Sequence, residues 1–484
     1  MNIKAISRNV GYALLVSALF MLFSMFVSIA NGNDSALAAL TISFLITFTV
    51  GIFPFIFVRK TPAITLRDGY VIIVLSWLLS FVFGMLPYAL WGGPFTVMNA
   101  WFESVSGFTT TGATILDDIE ALPNSLLFWR SSTHFIGGLG VVVFLLLIIP
   151  DSSPVRMRLT QMELSSLSKD AYNARTNKTV FIFAYVYLAL VVLSFISYLL
   201  AGMTPFDAIN HAFSVSATGG FSTRNLSIGA YNSRLIEGIT MVFMYLSSLH
   251  FGLLYMSVVT RSLRPLNNPV LKFYTVCVIV FILLEALILR TEGLVADTGE
   301  AFWVGAFQSI SIITTSGFAI ADNSQWPFVA NVLFMFMAVM CACAGSTSGG
   351  VKSDRVYVLL KSIALQVKRI LHPASVNEVK MGRIMLHDEV VFPHILFIAM
   401  YGIFLALSVF LTLAVGVEPH SALSGSVSSL GTIGPAIEEL GTYGSYNGVP
   451  EMGKFIFSMD MFLGRIEIYP VLAVIAMLFQ RKKA

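Results

Sequence analysis

The chain has 484 residues, of which 56% are apolar and only 11% charged, and its mean hydropathy is +0.82. A soluble domain is about a quarter charged, so this composition excludes a water-soluble globular protein and points to a chain held mostly in a bilayer. The net charge of +3 says little by itself, but the placement of Lys and Arg matters, because cytoplasmic connections of membrane proteins collect them.

Ten apolar segments long enough to span follow one another, at about 10–30, 36–58, 69–91, 127–149, 179–201, 236–259, 271–290, 328–350, 391–416 and 455–479. The first is long for the apolar part of a signal peptide and the second follows at once, so it reads as a retained helix. With the N-terminus inside, the inner connections hold Lys4, Arg8, Arg59, Lys60, Arg67, Arg156, Arg158, Lys169, Arg175 and Lys178. Further on they hold Arg261, Arg264, Lys272, Lys352, Arg355, Lys361, Lys368, Arg369, Lys380, Arg383, Arg481, Lys482 and Lys483, so that 23 of the 29 Lys and Arg lie on one side. Both termini are therefore expected to be cytoplasmic. Cys277, Cys341 and Cys343 lie in apolar segments without CxxC spacing, which indicates neither disulfides nor a metal site.

Four outer connections open with a short apolar segment, at about 96–108, 205–216, 300–313 and 419–430, too short to span and suited to a re-entrant helix. Each meets a glycine-centred tetrad: Thr110-Thr111-Gly112-Ala113, Ala217-Thr218-Gly219-Gly220, Thr315-Ser316-Gly317-Phe318 and Thr432-Ile433-Gly434-Pro435. Serines stand eight and six residues before the central glycine in the first, third and fourth copies, whereas the second has His211 and Phe213 there. The recurrence at roughly 100 residues is an internal repeat. It predicts an all-α polytopic membrane protein of four pseudo-repeats around one pore, each made of helix, re-entrant helix with loop, and helix. The division is 1–68 as a two-helix extension, then repeats at 69–178, 179–270, 271–390 and 391–484.

Irregular backbone at membrane depth is tolerated only where protein buries it or it lines a water-filled path. Carbonyl rings from such loops can replace the hydration shell of a monovalent cation. Glycine lets the backbone take conformations that a Cβ forbids, and the absence of Asp and Glu from the tetrads disfavours a divalent ion. Gly, Ser and Thr also serve helix packing, but four copies in register argue for the ion path. The candidate ligands are Thr110, Thr111, Gly112, Ala217, Thr218, Gly219, Thr315, Ser316, Gly317, Thr432, Ile433 and Gly434.

The eighth segment is interrupted by Cys341-Ala-Cys-Ala-Gly-Ser-Thr-Ser-Gly-Gly350, a poor continuous helix. Gly345, Ser346, Thr347, Ser348, Gly349 and Gly350 form a candidate gating loop. Arg465 lies ten residues into the last apolar segment, and an intramembrane charge is a functional-site hypothesis. On a regular helix Asp460 and Glu467 would point about 140° and 200° away from it, so it must face another element.

Several motifs together resemble the Trk/Ktr/HKT superfamily of potassium transporters, and within it the bacterial Trk potassium-uptake membrane subunits. They are Ser106-Gly-Phe-Thr-Thr-Thr-Gly-Ala-Thr114, Gly219-Gly-Phe-Ser-Thr223, Thr314-Thr-Ser-Gly-Phe318, Gly434-Pro435, the 343–350 run and Leu463-Gly-Arg-Ile-Glu467. The resemblance covers nearly the whole chain. It implies K⁺ as the transported ion at the four loops, no bound organic cofactor, and a pore-facing Arg465 that helps hold the gating loop. It also implies a homodimer in a bacterial inner membrane, with a peripheral cytoplasmic NAD- or ATP-responsive regulatory subunit of the TrkA type docked on the basic segments. A Na⁺-permeable or Na⁺/H⁺-coupled relative is the alternative within transport, and a membrane enzyme or receptor the alternative outside it. No P-loop, GxGxxG or HExxH motif supports an enzyme.

Overall fold

A computed structural model describes residues 2–58, 64–148, 176–373, 378–382, 384–386 and 388–480. Arg59, Lys60, Arg156, Arg158, Lys169, Arg175, Arg383, Arg481, Lys482 and Lys483, which weigh in the orientation argument, lie outside these residues. The chain opens with two antiparallel apolar helices, α1 (Ile3–Ala30) and α2 (Leu37–Phe57). Then come α3 (Leu66–Gly84), α4 (Leu86–Trp91), the short α5 (Val97–Phe108) and α6 (Asn124–Ile148). Asp68 and Thr65 close a capping box at the start of α3.

The pattern of helix, short helix and helix recurs as α7 (Thr176–Leu200), α8 (Pro205–Ser216), α9 (Arg234–Ser247) and α10 (Phe251–Val259). It recurs again as α11 (Pro269–Thr291), α12 (Thr298–Ile313), α13 (Phe328–Val339) and α14 (Ser353–Leu371). The last round is α15 (Asp388–Ala414), α16 (Pro419–Gly431), α17 (Glu451–Ile466) and α18 (Ile468–Gln480). Among the described residues strand is confined to two pairings. Met340–Cys341 lies parallel to Val351–Lys352, and Val379–Met381 is antiparallel to Ile384–Leu386.

Among the described residues six helical stretches are long and apolar enough to cross a bilayer. Their outward faces expose large side chains such as Phe26, Leu45, Phe53, Leu188 and Phe410, which lipid, not water, suits. Three other segments expected to span are interrupted. The 236–259 segment bends by 100° between α9 and α10, where Ser248–His250 leave the helix and His250 Nδ1 accepts from Gly252 N to cap the next one. The 455–479 segment starts earlier, at Glu451, and breaks at Glu467, whose φ is +67°. The 328–350 segment leaves helix at Met340.

The four short helices start alike. Thr96, Thr204, Asp297 and Glu418 each accept from the backbone N–H three residues on, and Pro205 and Pro419 occupy first helical positions. Their observed bounds agree with the re-entrant segments read from the sequence.

Candidate functional site

Each short helix also ends alike. The N–H groups of Thr110, Thr218, Thr315 and Thr432 donate to the carbonyls three residues back, at 2.9–3.2 Å. Those of Thr111, Gly219, Ser316 and Ile433 donate to the carbonyls of Ser106, Ser214, Ser311 and Ser428, five residues back, at 2.9–3.0 Å. This double closure needs a left-handed residue, normally glycine. Here it is Thr four times, with φ of +55°, +54°, +58° and +55°. A β-branched residue in that region costs on the order of 1–2 kcal/mol, and such strain kept in four places points to a function for the threonines.

The same closure fixes the register. Two residues beyond each left-handed Thr stand Gly112, Gly220, Gly317 and Gly434, with φ between +69° and +100°. The glycine of the second loop that matches the other three is therefore Gly220, whereas the tetrads set Gly219 there. Gly219 instead matches Thr111, Ser316 and Ile433. The missing serine of the second copy reappears as Ser214, six residues before Gly220.

The four glycines are required by contact as well as by φ. A Cβ on Gly112 would lie 2.0 Å from Gly219 O, on Gly220 2.4 Å from Ser316 O, on Gly317 2.3 Å from Ile433 O, and on Gly434 2.5 Å from Thr111 O. Each glycine thus closes against the carbonyl of the next loop and the fourth returns to the first. Ile433, which lacks a hydroxyl, supplies the same carbonyl as its counterparts. The Oγ1 atoms of Thr110, Thr315 and Thr432 are buried without a hydrogen-bond partner, while that of Thr218 lies 3.4 Å from Thr347 Oγ1. The C-terminal ends of the four short helices carry partial negative charge toward this ring. Above it, Gly112, Gly220, Gly317 and Gly434 floor a cavity of about 140 Å³. Such an arrangement can replace the hydration shell of a monovalent cation.

Below the ring lies the 342–350 loop. Gly345 and Gly350 have φ of +75° and +64°, and a Cβ on Gly349 would sit 1.9 Å from Thr432 Oγ1. Thr347 Oγ1 donates to Ser216 O at 3.2 Å, and Ser346 Oγ to Cys343 O at 2.7 Å. Arg465 reaches the loop from α17: Nη1 donates to Thr347 O and Nη2 to Gly137 O on α6, the latter at 3.1 Å. The two acids on its own segment turn elsewhere, Asp460 by helical geometry and Glu467 because the helix has ended at Ile466. Asp460 accepts from Ser408, and Glu467 pairs with Arg355 at 2.7 Å. The structure thus gathers Gly345, Ser346, Thr347, Ser348, Gly349, Gly350 and Arg465 beneath the four loops.

A second buried charge escaped the sequence reading. Arg130 Nε lies 2.7 Å from Glu103 Oε1, both fully buried, and Glu103 also accepts from Thr114 Oγ1 and Ile115 N just beyond Gly112. An arginine inside an apolar segment is the same signal that singles out Arg465.

A family model described as a cation transport protein, TrkH, matches residues 37–483. The Trk system potassium uptake protein TrkH of Vibrio parahaemolyticus is 31% identical over 99% of this chain and 100% of its own length. The TrkH protein of Escherichia coli is 30% identical, with both chains covered completely. The crystal structure of the Vibrio parahaemolyticus potassium transporter TrkH superposes with a TM-score of 0.88 at 30% identity, covering 98% of each chain. The apolar helices, the ring of loops and these full-length matches agree, and the chain belongs to the TrkH family of cation transport proteins.

Proposed function

We propose that this chain is the membrane subunit of a bacterial K⁺ uptake system in the inner membrane and passes K⁺ inward through the four-loop ring. The single observation that carries this reading is the closed cycle of glycine-to-carbonyl contacts, from Gly112 through Gly220 and Gly317 to Gly434 and back to Thr111. Uncharged carbonyl and hydroxyl oxygens suit a weakly held monovalent ion that must leave again. Glycine at all four positions supports K⁺ over Na⁺, and the names of the full-length relatives agree.

The 345–350 loop with Arg465 acts as the resting barrier. A guanidinium about 4 Å from a passing cation raises its energy by roughly 4 kcal/mol at an effective dielectric of about 20, which lowers its occupancy on the order of a thousandfold. The loop's bonds to Ser216 O and Gly137-bound Arg465 hold that barrier in place. A homodimer and a nucleotide-responsive cytoplasmic partner complete the assembly. The word "system" in the relatives' names and the basic inner segments support such a partner.

The test is ⁸⁶Rb⁺ uptake into proteoliposomes with K⁺ or Na⁺ as competitor. Competition by K⁺ and not by Na⁺ is expected. Equal competition would replace this reading with the Na⁺-permeable one, and uptake that no alkali cation inhibits would remove it.

A further inference from the structure

Two residues beyond each ring glycine the chain leaves the loop through Thr114, Ser222, Ala319 and Ala436. In every case the carbonyl of that residue is held by a donor from the preceding quadrant. Thr114 O accepts from Tyr446 N at 2.8 Å, Ser222 O from Arg130 Nη1 at 3.4 Å, Ala319 O from Gly229 N at 3.1 Å, and Ala436 O from Asn323 Nδ2 at 3.0 Å. The fourth quadrant thus holds the first, the first the second, the second the third and the third the fourth. The circle is closed, and its donors are chemically unrelated: two backbone amides, a guanidinium and a carboxamide.

We propose that this circumferential collar is a specificity-determining element, in which Asn323 and Arg130 are positioning residues that fix the spacing of the four loops. The proposal rests on reading the ring as a K⁺ filter. Carbonyls turned sideways into the collar cannot swing toward the pore axis, so the exit strand of each loop is anchored on its flank. A ring anchored on all sides resists closing onto a smaller ion, which is what discrimination against Na⁺ by a carbonyl cage requires when fit contributes to it.

The two side-chain members are held firmly. Asn323 Oδ1 accepts from Thr442 N at 2.8 Å, and because that partner can only donate, Nδ2 must face Ala436 O. Asn323 is fully buried. Arg130 is oriented by Glu103 and lies over the Phe221 ring at 4.0 Å, so its fork is already aimed at Ser222 O. Neither side chain hydrogen-bonds to a candidate ion ligand, and either can be altered without adding bulk to the ring.

The experiment compares ⁸⁶Rb⁺ uptake with Na⁺ and K⁺ competition in wild type, Asn323→Asp, Arg130→Lys, Gly317→Ser and Gln325→Ala. Asn323→Asp keeps the acceptor toward Thr442 N and removes the donor toward Ala436 O. Arg130→Lys keeps a charge beside Glu103 and loses the fork, so it carries the same expectation independently should the first variant not fold. Both are expected to lower the ratio of Na⁺ to K⁺ half-inhibitory concentrations at least about tenfold. Gln325, exposed on the same connection, should leave the ratio unchanged. If Gly317→Ser shifts the ratio and neither collar variant does, the collar proposal falls and the filter reading stands. If Gly317→Ser leaves it unshifted, the filter reading itself fails.

Discussion

Gly219 and Gly220 are neighbours with different tasks, and their surroundings separate them. A Cβ on Gly220 would meet the backbone oxygen of Ser316, whereas one on Gly219 would meet the His134 ring at 2.4 Å. Backbone of an adjacent loop cannot retreat, but a side chain can be removed. Gly220→Ala is therefore expected to abolish K⁺ discrimination whatever else is changed, while Gly219→Ala is rescued by His134→Ala. Equal rescue of both in ⁸⁶Rb⁺ competition assays would overturn the assigned register. The sequence marks four glycine loops but cannot choose between two consecutive glycines, because only the left-handed Thr218 and its hydrogen bond to Val215 O mark the count. At the exposed start of α16, His420 Nδ1 lies 2.7 Å from Glu438 Oε1, and that hydrogen bond raises the imidazole pKa above its ordinary value of about 6.5. A raised value means stability that is fully present below about pH 6.5 and lost as pH rises through the folded value. Melting curves of wild type and His420→Asn should differ at pH 5.5 and converge by pH 9, and a gap that grows with pH would contradict the pairing.

The elements that enclose the ring share a habit of breaking within their apolar segments: α9 into α10 at Ser248–His250, α13 into α14 across 340–352, and α17 into α18 at Glu467. Only the second break was legible, since a run of Gly and Ser announces itself. Ser-Ser-Leu-His carries no such mark. There the helix ends because Ser248 O accepts from Cys343 N and Phe251 N donates to Gly345 O, bonds that the 342–350 loop supplies from another quadrant. The breaks thus share hydrogen bonds, and the loop ties them to Arg465. The guanidinium spans two carbonyls at once, so charge and tether can be separated by substitution. Arg465→Ala removes both and is expected to raise basal ⁸⁶Rb⁺ flux at least about tenfold, the lower part of the range that a buried cation's repulsion permits. Arg465→Lys keeps the charge but can satisfy only one of Thr347 O and Gly137 O at a time. An intermediate flux is expected, and flux equal to wild type would assign the whole effect to charge. Unchanged flux in Arg465→Ala would remove the arginine from the barrier.

Across the whole molecule the ring exists only when all four quadrants are folded against one another, since each glycine is completed by the next loop's carbonyl. On the proposed reading, an ion held by oxygens from residues 110–112 through 432–434 binds the assembled chain and not the unfolded one, so its occupancy should stabilise the fold by linkage. A cation at a hundredfold its dissociation constant contributes about 2.7 kcal/mol. Spread over the unfolding entropy of a chain of 484 residues, about 2 cal/mol/K per residue, that is a rise of roughly 3 °C in melting temperature. Purified protein should melt about this much higher in KCl or RbCl than in NaCl or choline chloride of equal ionic strength, and the difference should follow the logarithm of K⁺ concentration. Matching ionic strength removes general screening from the comparison. Gly220→Ala should retain a cooperative transition and lose the K⁺ increment, because the ring is opened at one contact while the helices that carry it remain. An increment of the same size in Na⁺ would show that the assembled ring holds alkali cations without choosing among them. No increment in any salt would mean that the ring does not hold them at all.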